Sequence, residues 1–365
     1  MEENADILIL TAAFGAGHNT VATAIKEQIL YNAPSMNVKI KDVFEVLRPY
    51  TNKLMYASYK YMIEKHVNIY NYFYYRKMKN PYTLPDEFIY KTKYKEFAQY
   101  ISKVKPRLII STFPICSGIV SRCKVKKEID IPMITCITDI VDSMEWIHDK
   151  TDLYFVASNE IKEKIINKGI SERKIKVTGI PVRKEFLISE DRKSSEGEAK
   201  LNVLIMGGAF GNFSLNADFL NWLEDKGYIS TNIVTGYNKK LYTDIKKIRS
   251  YRNIALHGYI KDVAELMDKA DILISKPGGI TIFEAIHKEI PLIVYNSSIG
   301  QELENIKYIN KSKIGIINNN DKDVRAYLEN IARDKSEIRK MKENMIKIKA
   351  SMESKKIGIY ALELL

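Results

Sequence analysis

Short apolar runs alternate with longer segments of helical spacing along most of the chain. Each run is long enough for a buried strand, and the segments between them repeat their apolar positions about every 3.6 residues. Strands that alternate with helices favour parallel sheets covered by helices, so the pattern predicts the α/β class. The predicted strands are residues 6–12, 38–43, 107–112, 133–138, 153–157, 176–178, 202–206, 232–235, 254–256, 272–274, 292–295 and 315–318.

One polar stretch interrupts this pattern. Residues 189–200 (SEDRKSSEGEAK) have no apolar period, which is typical of a linker or an exposed connection. A chain of 365 residues is long enough for two domains of ordinary size. We therefore expect an N-terminal domain over 1–188 and a C-terminal domain over 189–345. A C-terminal helix over 346–365 is expected to pack back on the N-terminal domain.

A strand, a glycine turn and a helix follow one another in residues 271–287 (DILISKPGGITIFEAIH). The turn lies at Pro277, Gly278 and Gly279, and the predicted helix runs over 281–287. Such a turn presents backbone N–H groups and a helix N-terminus at the carboxyl edge of the sheet, where anions and above all phosphate bind. The alternative is an ordinary connection between two strands, since paired glycines are common in turns.

Three polar residues favour the phosphate-binding interpretation. Glu284 lies about one turn inside the predicted helix, where its carboxylate can accept hydrogen bonds from a ribose diol. Gln301 and Glu302 follow the next strand and return to the same edge of the sheet. Together they predict a nucleotide-diphosphate site at this edge.

A second glycine loop follows the first strand, in FGAGH. Gly15 and Gly17 are expected to form a tight turn, and His18 stands where a helix begins. The loop is not the dinucleotide fingerprint GxGxxG, and a lone histidine is more often structural. An exposed histidine with an unperturbed pKa near 6.5 beside a helix N-terminus is nevertheless a candidate general base. Asp139, at the carboxyl end of strand 133–138, either lines the same cleft or caps the next turn.

The net charge of +12 is concentrated in one segment. Residues 48–107 hold 13 Lys and Arg against four acids, which leaves +9, and they contain 12 of the 23 tyrosines. Cations and tyrosine together favour an anionic membrane surface. Single-stranded nucleic acid and a basic face on a tyrosine-rich core are the alternatives. We expect helices in this segment, interrupted at Pro81 and Pro85 by a mobile loop.

The remaining composition points to the cytosol. Cys116, Cys123 and Cys136 have no CxxC spacing and are expected to be buried, reduced thiols. The first residues, MEENADILIL, place acidic residues before the apolar run, unlike a secretion signal. No apolar segment approaches the ~20 residues that a membrane-spanning helix needs.

Five motifs in this order carry a resemblance over nearly the whole chain. They are GAGH near the start, GIPVR at the domain junction, GGAFG at the start of the second half, KPGGITIFEA, and GQELEN. The chain resembles the processive diacylglycerol glucosyltransferases and monogalactosyldiacylglycerol synthases of glycosyltransferase family 28. The resemblance implies a GT-B fold, in which two Rossmann-like, doubly wound domains face each other across a cleft. The N-terminal half would take the lipid acceptor and the C-terminal half a UDP-sugar.

The resemblance also implies roles for individual residues. Gly278, Gly279 and Thr281 would lie at the diphosphate, Glu284 at the ribose, Gln301 and Glu302 at the sugar, the backbone of Ile260 at the uracil, and Arg183 beside the phosphates. The whole implied UDP-sugar site comprises Gly17, Arg183, Gly208, Ile260, Lys276, Pro277, Gly278, Gly279, Ile280, Thr281, Glu284, Gln301, Glu302 and Asn305. His18 falls on the family histidine at the acceptor side.

Three departures from the family pattern affect this assignment. FGAGH has fewer glycines than is usual, and Ala209 stands where a third glycine is common. Ser297, Ser298 and Ile299 replace a proline-containing approach to GQE, which affects how the sugar is seated.

The activity that the resemblance implies is inverting transfer of a hexose from UDP-glucose or UDP-galactose, with glucose favoured, to diacylglycerol or a glycosyl-diacylglycerol. His18 would be the base, with Asp139 as its orienting partner or substitute. Backbone N–H groups would stabilise the leaving group without a metal or other cofactor. The expected location is cytoplasmic, peripheral on the inner face of the cell membrane, with anionic lipid as a partner and no nucleic acid. The oligomeric state stays open.

Two other classes of function remain open, another enzyme and a binding module. An N-acetylglucosaminyltransferase acting on a muramyl-peptide lipid, or a UDP-amino-sugar epimerase, would use the same architecture. A basic membrane-binding or RNA-binding module with a vestigial nucleotide site would carry no activity.

Overall fold

The computed structural model describes residues 4–79, 84–188, 200–207 and 215–365. These residues form two compact units. The first consists of Met1–Lys184, Ser298–Gln301 and Ser351–Leu365, and the second of Glu185–Ser297 and Glu302–Ala350. The boundary between the units therefore falls at 184–185, and the returning C-terminal segment begins at Ser351 instead of residue 346.

The first unit is built on a six-stranded parallel sheet with the strand order β2-β1-β3-β4-β5-β6. All five residues of β1 are buried, because helices cover both faces of a parallel sheet. Ile7 is in register with Val38 on one side and with Leu108 on the other. The strands are β1 (Ile7–Thr11), β2 (Val38–Asp42), β3 (Leu108–Ser111), β4 (Met133–Cys136), β5 (Leu153–Val156) and β6 (Ile175–Val177).

Helices connect these strands, and short 3-10 turns lie at Met144–Trp146 and Glu172–Lys174. The helices are α1 (Ala16–Asn32), α2 (Val43–Leu47), α3 (Asn52–Lys65), α4 (Val67–Lys79), α5 (Leu84–Val104), α6 (Pro114–Val125), α7 (Asn159–Ile166), α8 (Lys184–Leu187, at the unit boundary) and α16 (Ile357–Leu362). Helix α16 packs on α1, where Gly358 lies so close to the carbonyl oxygen of Gln28 that an added Cβ would be 2.4 Å from it.

The second unit repeats the design with the order β12-β11-β10-β7-β8-β9, again all parallel. Its strands are β7 (Leu201–Met206), β8 (Ile229–Val234), β9 (Ile254–His257), β10 (Ile272–Ser275), β11 (Leu292–Tyr295) and β12 (Gly315–Asn318). Its helices are α9 (Ala217–Asp225), α10 (Lys239–Ile248), α11 (Ala264–Lys269), α12 (Gly279–His287), α13 (Gly300–Ser312), α14 (Asp321–Arg333) and α15 (Ser336–Ala350).

Each sheet has one point where the chain reverses its direction of progress. In the first sheet, β1 lies between β2 on one side and β3 on the other. In the second sheet, β7 lies between β8 on one side and β10 on the other. The loops after these strands diverge and leave a crevice at the carboxyl edge, which is where ligands bind in doubly wound sheets. His18 follows β1, and Pro277 to Gly279 follow β10.

The predicted elements are confirmed in type, with shifts at several ends. Strand β8 begins at Ile229 instead of residue 232, because Thr231 is buried beside the apolar positions. Helix α12 begins at Gly279 instead of residue 281. Pro85 does not interrupt a helix: it is the second residue of α5, a position where a missing N–H is tolerated. Pro81 and the expected mobile loop around it lie outside the described residues.

The tyrosine-rich segment is part of the first unit's interior as well as its surface. Tyr70, Tyr74 and Tyr90 are buried, whereas Tyr50 and Tyr72 are exposed. The prediction that the cysteines are buried and reduced is confirmed, since all three thiols are buried and unpaired. Among the described residues, no helix combines the length and apolar character needed to cross a membrane.

Candidate active site

The histidine of the first glycine loop lies at the start of α1. Gly15 is the N-cap residue with a φ of +137°, a conformation that side-chain-bearing residues rarely adopt, so the turn requires glycine there. Gly17 does not share in the turn as expected, because the helix has already begun at Ala16. His18 therefore lies in the first helical turn, at the carboxyl edge of β1.

The hydrogen bonds of His18 determine which ring nitrogen is protonated. Nδ1 lies 3.0 Å from the carbonyl oxygen of Thr112 and 2.9 Å from Oγ1 of Thr138. A carbonyl oxygen can only accept a hydrogen bond, so Nδ1 carries the hydrogen and donates it. The lone pair of the neutral ring is then on Nε2, the nitrogen that can accept a proton. Neither threonine was predicted as a partner of His18, although each is the last residue of a predicted strand.

Electrostatics keep this histidine neutral. His18 is half-buried rather than exposed, and burial lowers its pKa below the usual value of 6.5 instead of leaving it unperturbed. The charge of Asp139 and the bond to Thr112 oppose this shift without reversing it. Burial also raises the pKa of the Asp139 carboxyl, against the opposing effects of His18 and Gln301.

Asp139 does not orient the imidazole through a hydrogen bond. Thr112 and Thr138 hold Nδ1, and the influence of Asp139 on His18 is a charge interaction through space. The carboxylate of Asp139 instead accepts a hydrogen bond from Nε2 of Gln301, in the segment 298–301 that belongs to the first unit. The structure thus brings His18, Asp139 and Gln301 together.

An aromatic cluster fixes the loop before His18. Phe14 packs against four rings, with centroid distances of 4.6 Å to Tyr59 and 4.8 Å to Tyr56, and Phe113 lies 5.0 Å from the His18 ring. The other two rings around Phe14 belong to Phe44 and Phe113. Because aromatic rings bring large apolar area with defined geometry, the cluster gives the loop a rigid support.

Tyr56 adds a polar clamp to this support. Its Oη donates to Oδ2 of Asp42 at 2.5 Å and accepts from the backbone N–H of Ala13 at 3.2 Å. Oδ1 of Asp42 caps α2 by accepting from the N–H of Phe44 at 2.8 Å. Helix α3, strand β2 and the loop before His18 are therefore joined by one hydrogen-bonded group, which the sequence did not reveal because Tyr56 is one of many tyrosines in its segment.

The second glycine turn ends in an uncapped helix. Gly278 is the N-cap of α12 and has no side chain with which to cap it, so the N–H groups of Gly279, Ile280 and Thr281 point out of the helix start. Gly278 has a φ of −75°, and an added Cβ would meet nothing closer than 3.6 Å. Within the described residues, neither the backbone conformation nor a neighbouring atom requires glycine at this position. The absence of a side chain instead leaves room for a ligand to approach the backbone closely.

The neighbours of this turn support it or line its edge. Asn305 is buried, and its Nδ2 donates to the carbonyl oxygen of Pro277 at 2.9 Å, so its side chain anchors the turn. Nζ of Lys276 lies 3.6 Å from Oε1 of Glu302, whose Oε2 accepts from the hydroxyl of Ser297 at 2.6 Å.

Three of the other predicted site residues lie on different elements and are partly or fully buried. Glu284 lies on α12 and is only 6% exposed, and Ile260 is half-buried in the loop after β9. Arg183 is half-buried after β6, in the first unit. Gly208 lies outside the described residues.

Comparisons with known proteins place the chain in a family. The family model for monogalactosyldiacylglycerol (MGDG) synthase matches residues 18–182, and that for the glycosyltransferase family 28 C-terminal domain matches residues 202–357. A processive diacylglycerol beta-glucosyltransferase from Bacillus cereus (strain G9842) is 31% identical over 94% of this chain and 90% of its own length. The chain belongs to glycosyltransferase family 28. The resemblance in the five motifs is thereby confirmed.

Further similarities agree with this assignment. A processive diacylglycerol beta-glucosyltransferase from Staphylococcus haemolyticus (strain JCSC1435) is 32% identical over 87% of this chain and 82% of its own. The crystal structure of MurG from Acinetobacter baumannii superposes with a TM-score of 0.62 over 98% of this chain and 99% of that chain, at 13% identity. The protein is a glycosyltransferase of the GT-B fold, as predicted.

The Tyr56 clamp generates a stability prediction. Tyr56→Phe keeps the ring in the aromatic cluster but removes the hydroxyl from Asp42 and Ala13. Loss of a hydrogen bond to a charged group should lower the free energy of unfolding by about 1.5–3 kcal/mol. Thermal and urea unfolding would measure this.

Tyr31→Phe is the matched control, because Tyr31 is 86% exposed and its hydroxyl lies in solvent. Equal stability of the two variants would show that the clamp contributes nothing.

Proposed function

We propose that this glycosyltransferase moves a hexose from a UDP-sugar to diacylglycerol or a glycosyl-diacylglycerol, with inversion at the anomeric carbon. The observation that carries the proposal is the fixed orientation of His18, whose Nδ1–H is held by Thr112 while Nε2 keeps its lone pair. A relative at 31% identity is called a processive diacylglycerol beta-glucosyltransferase. That name favours glucose over galactose as the sugar.

In the proposed reaction, Nε2 of His18 accepts the proton of the lipid hydroxyl as its oxygen attacks the anomeric carbon. The new C–O bond forms on the face opposite the diphosphate, and the bond from the anomeric carbon to the phosphate oxygen breaks, so that UDP leaves. The lowered pKa of His18 keeps the base unprotonated at neutral pH.

The leaving diphosphate gains negative charge in this step. The N–H groups of Gly279, Ile280 and Thr281 and the positive end of α12 are suited to stabilise it. This proposal requires no metal or other cofactor. Glu284 would bind the ribose, the backbone at Ile260 the uracil, and Gln301 and Glu302 the sugar.

The site would be reached from a membrane surface. The segment from Arg48 to Arg107 has a charge of +9 and presents exposed tyrosines, among them Tyr50, Tyr61 and Tyr72. Tyrosine suits the boundary between headgroups and acyl chains, and cations are attracted by anionic lipid. The proposed location is the cytoplasmic face of the cell membrane.

The function is tested by incubating the full chain with diacylglycerol vesicles and one labelled donor at a time. UDP-glucose should give a glycolipid by thin-layer chromatography, and UDP-galactose should give less. Product from UDP-N-acetylglucosamine and a muramyl-peptide lipid only, or no product with any donor, would overturn the proposal. NMR of the product would show a β linkage if the reaction inverts the α-linked donor.

The role of His18 predicts a loss of turnover without loss of donor binding. Removing a positioned general base typically lowers the rate by about 10²–10⁴. His18→Ala should show this decrease in kcat, while UDP affinity by calorimetry stays within a factor of a few, because the proposed nucleotide contacts lie elsewhere.

The pH profile gives an independent measurement. The base must be neutral, so activity should fall as the pH decreases through the pKa of His18, which burial places below 6.5. A stable His18→Ala protein with near wild-type turnover would assign the base to another group. A mutant that loses melting temperature but keeps its turnover would show that His18 only supports the loop.

Glu284 provides a test of the nucleotide site. Glu284→Ala should weaken UDP binding by ~1–3 kcal/mol, the scale of a charge-assisted pair of hydrogen bonds. Calorimetry measures the affinity. Glu265→Ala is the control, because Glu265 is an exposed carboxylate of the same unit paired with Lys269. Equal affinity of the two folded variants would remove Glu284 from the site.

Membrane attachment is tested by sedimentation with vesicles. Binding should be stronger to vesicles rich in anionic lipid and should decrease at high salt, since screening shortens the reach of surface charge to ~3 Å at 1 M. Equal sedimentation with neutral and anionic vesicles would contradict the electrostatic attachment.

A further inference from the structure

Beside α3 the first unit has an open cavity of about 800 Å³ that takes no part in the site described above. Thr51, Leu54, Met55 and Ser58 line it from the α3 side. Their spacing of three, four and seven residues places them on one face of the helix. The volume lies within the ~300–1,000 Å³ typical of ligand clefts.

The lining is mainly apolar, although it opens to solvent. Phe88 and Ile89 of α5 form part of the wall, and Leu54 and Phe88 are 70% and 59% exposed. Large apolar side chains grouped around an open cleft are a typical feature of a ligand or membrane contact. An apolar ligand that filled the cleft would remove this surface from water.

An adjoining face of α3 supports the loop before His18. Tyr56 and Tyr59 pack on Phe14, and the hydroxyl of Tyr56 accepts a hydrogen bond from the backbone N–H of Ala13. Ala13 lies five residues before His18. Met55, which lines the cavity, and Tyr59 are four residues apart and therefore neighbours on the helix surface, so the cavity and the loop contact adjoining faces of α3.

We infer that this cavity binds one fatty acyl chain of the glycerolipid acceptor, an inference that rests on the proposed function. The acyl chain of a membrane lipid spans half of the ~30 Å hydrocarbon core, or about 15 Å. Because the loop contacts an adjoining face of α3, a lipid whose acyl chain occupies the cavity can extend its glycerol hydroxyl toward His18.

Arg48 favours an ester lipid over a simple hydrocarbon. It lines the cavity, is half-buried, and presents a guanidinium group that can only donate hydrogen bonds. Diacylglycerol has two ester carbonyl oxygens next to its hydroxyl, and these can only accept. Arg48 can therefore bind the glycerol end of the lipid while the acyl chain lies against Leu54, Met55 and Phe88.

The cavity is tested directly by photo-cross-linking. The wild-type chain is irradiated with a diacylglycerol that carries a diazirine in one acyl chain, and the labelled peptides are identified by mass spectrometry. Labels are expected on the peptides that contain Leu54–Ser58 and Phe88–Ile89. An excess of unlabelled dioleoylglycerol should suppress them. Labelling that is confined to other helices would overturn the inference.

A pair of neighbouring variants gives the functional readout. Ser58→Phe fills the cavity, whereas Ala57→Phe places the same ring on an exposed neighbouring position that does not line it. Ser58→Phe should lower kcat/KM for dioleoylglycerol by about tenfold, the scale expected from displacing a few buried methylene groups. Ala57→Phe should leave it unchanged. Both should keep the wild-type melting temperature and UDP affinity.

The outcomes separate this inference from the proposed function. If glycolipid forms and both variants behave alike, the acyl subsite is wrong and the function stands. If the wild type forms no glycolipid from diacylglycerol, the function is wrong, and the cross-linking result alone decides whether the cavity binds an acyl chain. If Ser58→Phe does not fold, the wild-type cross-links still decide the inference.

Discussion

The hydrogen bond from Nδ1 of His18 to the carbonyl oxygen of Thr112 is the interaction on which the first unit's site depends. It joins the first turn of α1 to the end of β3, across the point where the chain reverses in the sheet. Because the acceptor is a backbone carbonyl, no change of side chain at Thr112 can alter the tautomer that it selects. The positive φ of Gly15 is what allows the helix to begin early enough to place the imidazole there.

The second unit has the same topology, but its reversal point presents hydrogen-bond donors instead of a proton-accepting side chain. Its reversal point presents the start of α12, whose N-cap has no side chain, so the site is built from backbone donors instead of a basic side chain. The two sheets therefore supply different functions from similar positions. The first holds the imidazole of His18 in a fixed orientation, and the second presents the partial positive charge of a helix start.

Much of this could be predicted from the sequence, because periodic apolar runs and glycine turns are local signals. The strands and the two glycine loops follow from them, whereas the roles of Glu284 and Glu302 stay predictions. The partners of His18 could not be predicted, since Thr112 and Thr138 come from strands far along the chain and meet it only through sheet order. Burial, which lowers the pKa of His18, is likewise a property of the packed unit. Asn305 was among the predicted site residues, but its bond to Pro277 and the bond of Tyr56 to Ala13 were not predicted, because both join residues that the sequence separates.

The tyrosine-rich segment shows why composition alone gave an incomplete picture. Its charge and aromatic content indicated a surface, yet α3 and α4 place Tyr56, Tyr59, Tyr70 and Tyr74 in or near the packed interior beside the loop before His18. Helix α3 contacts that loop with one face and an open apolar cavity with an adjoining face, so a lipid bound in the cavity as proposed would press on the support of His18. The packing of the Phe14 cluster and the hydrogen bonds of Tyr56 would limit such a displacement, and the proposed lipid contact would then leave the position of the His18 ring unchanged.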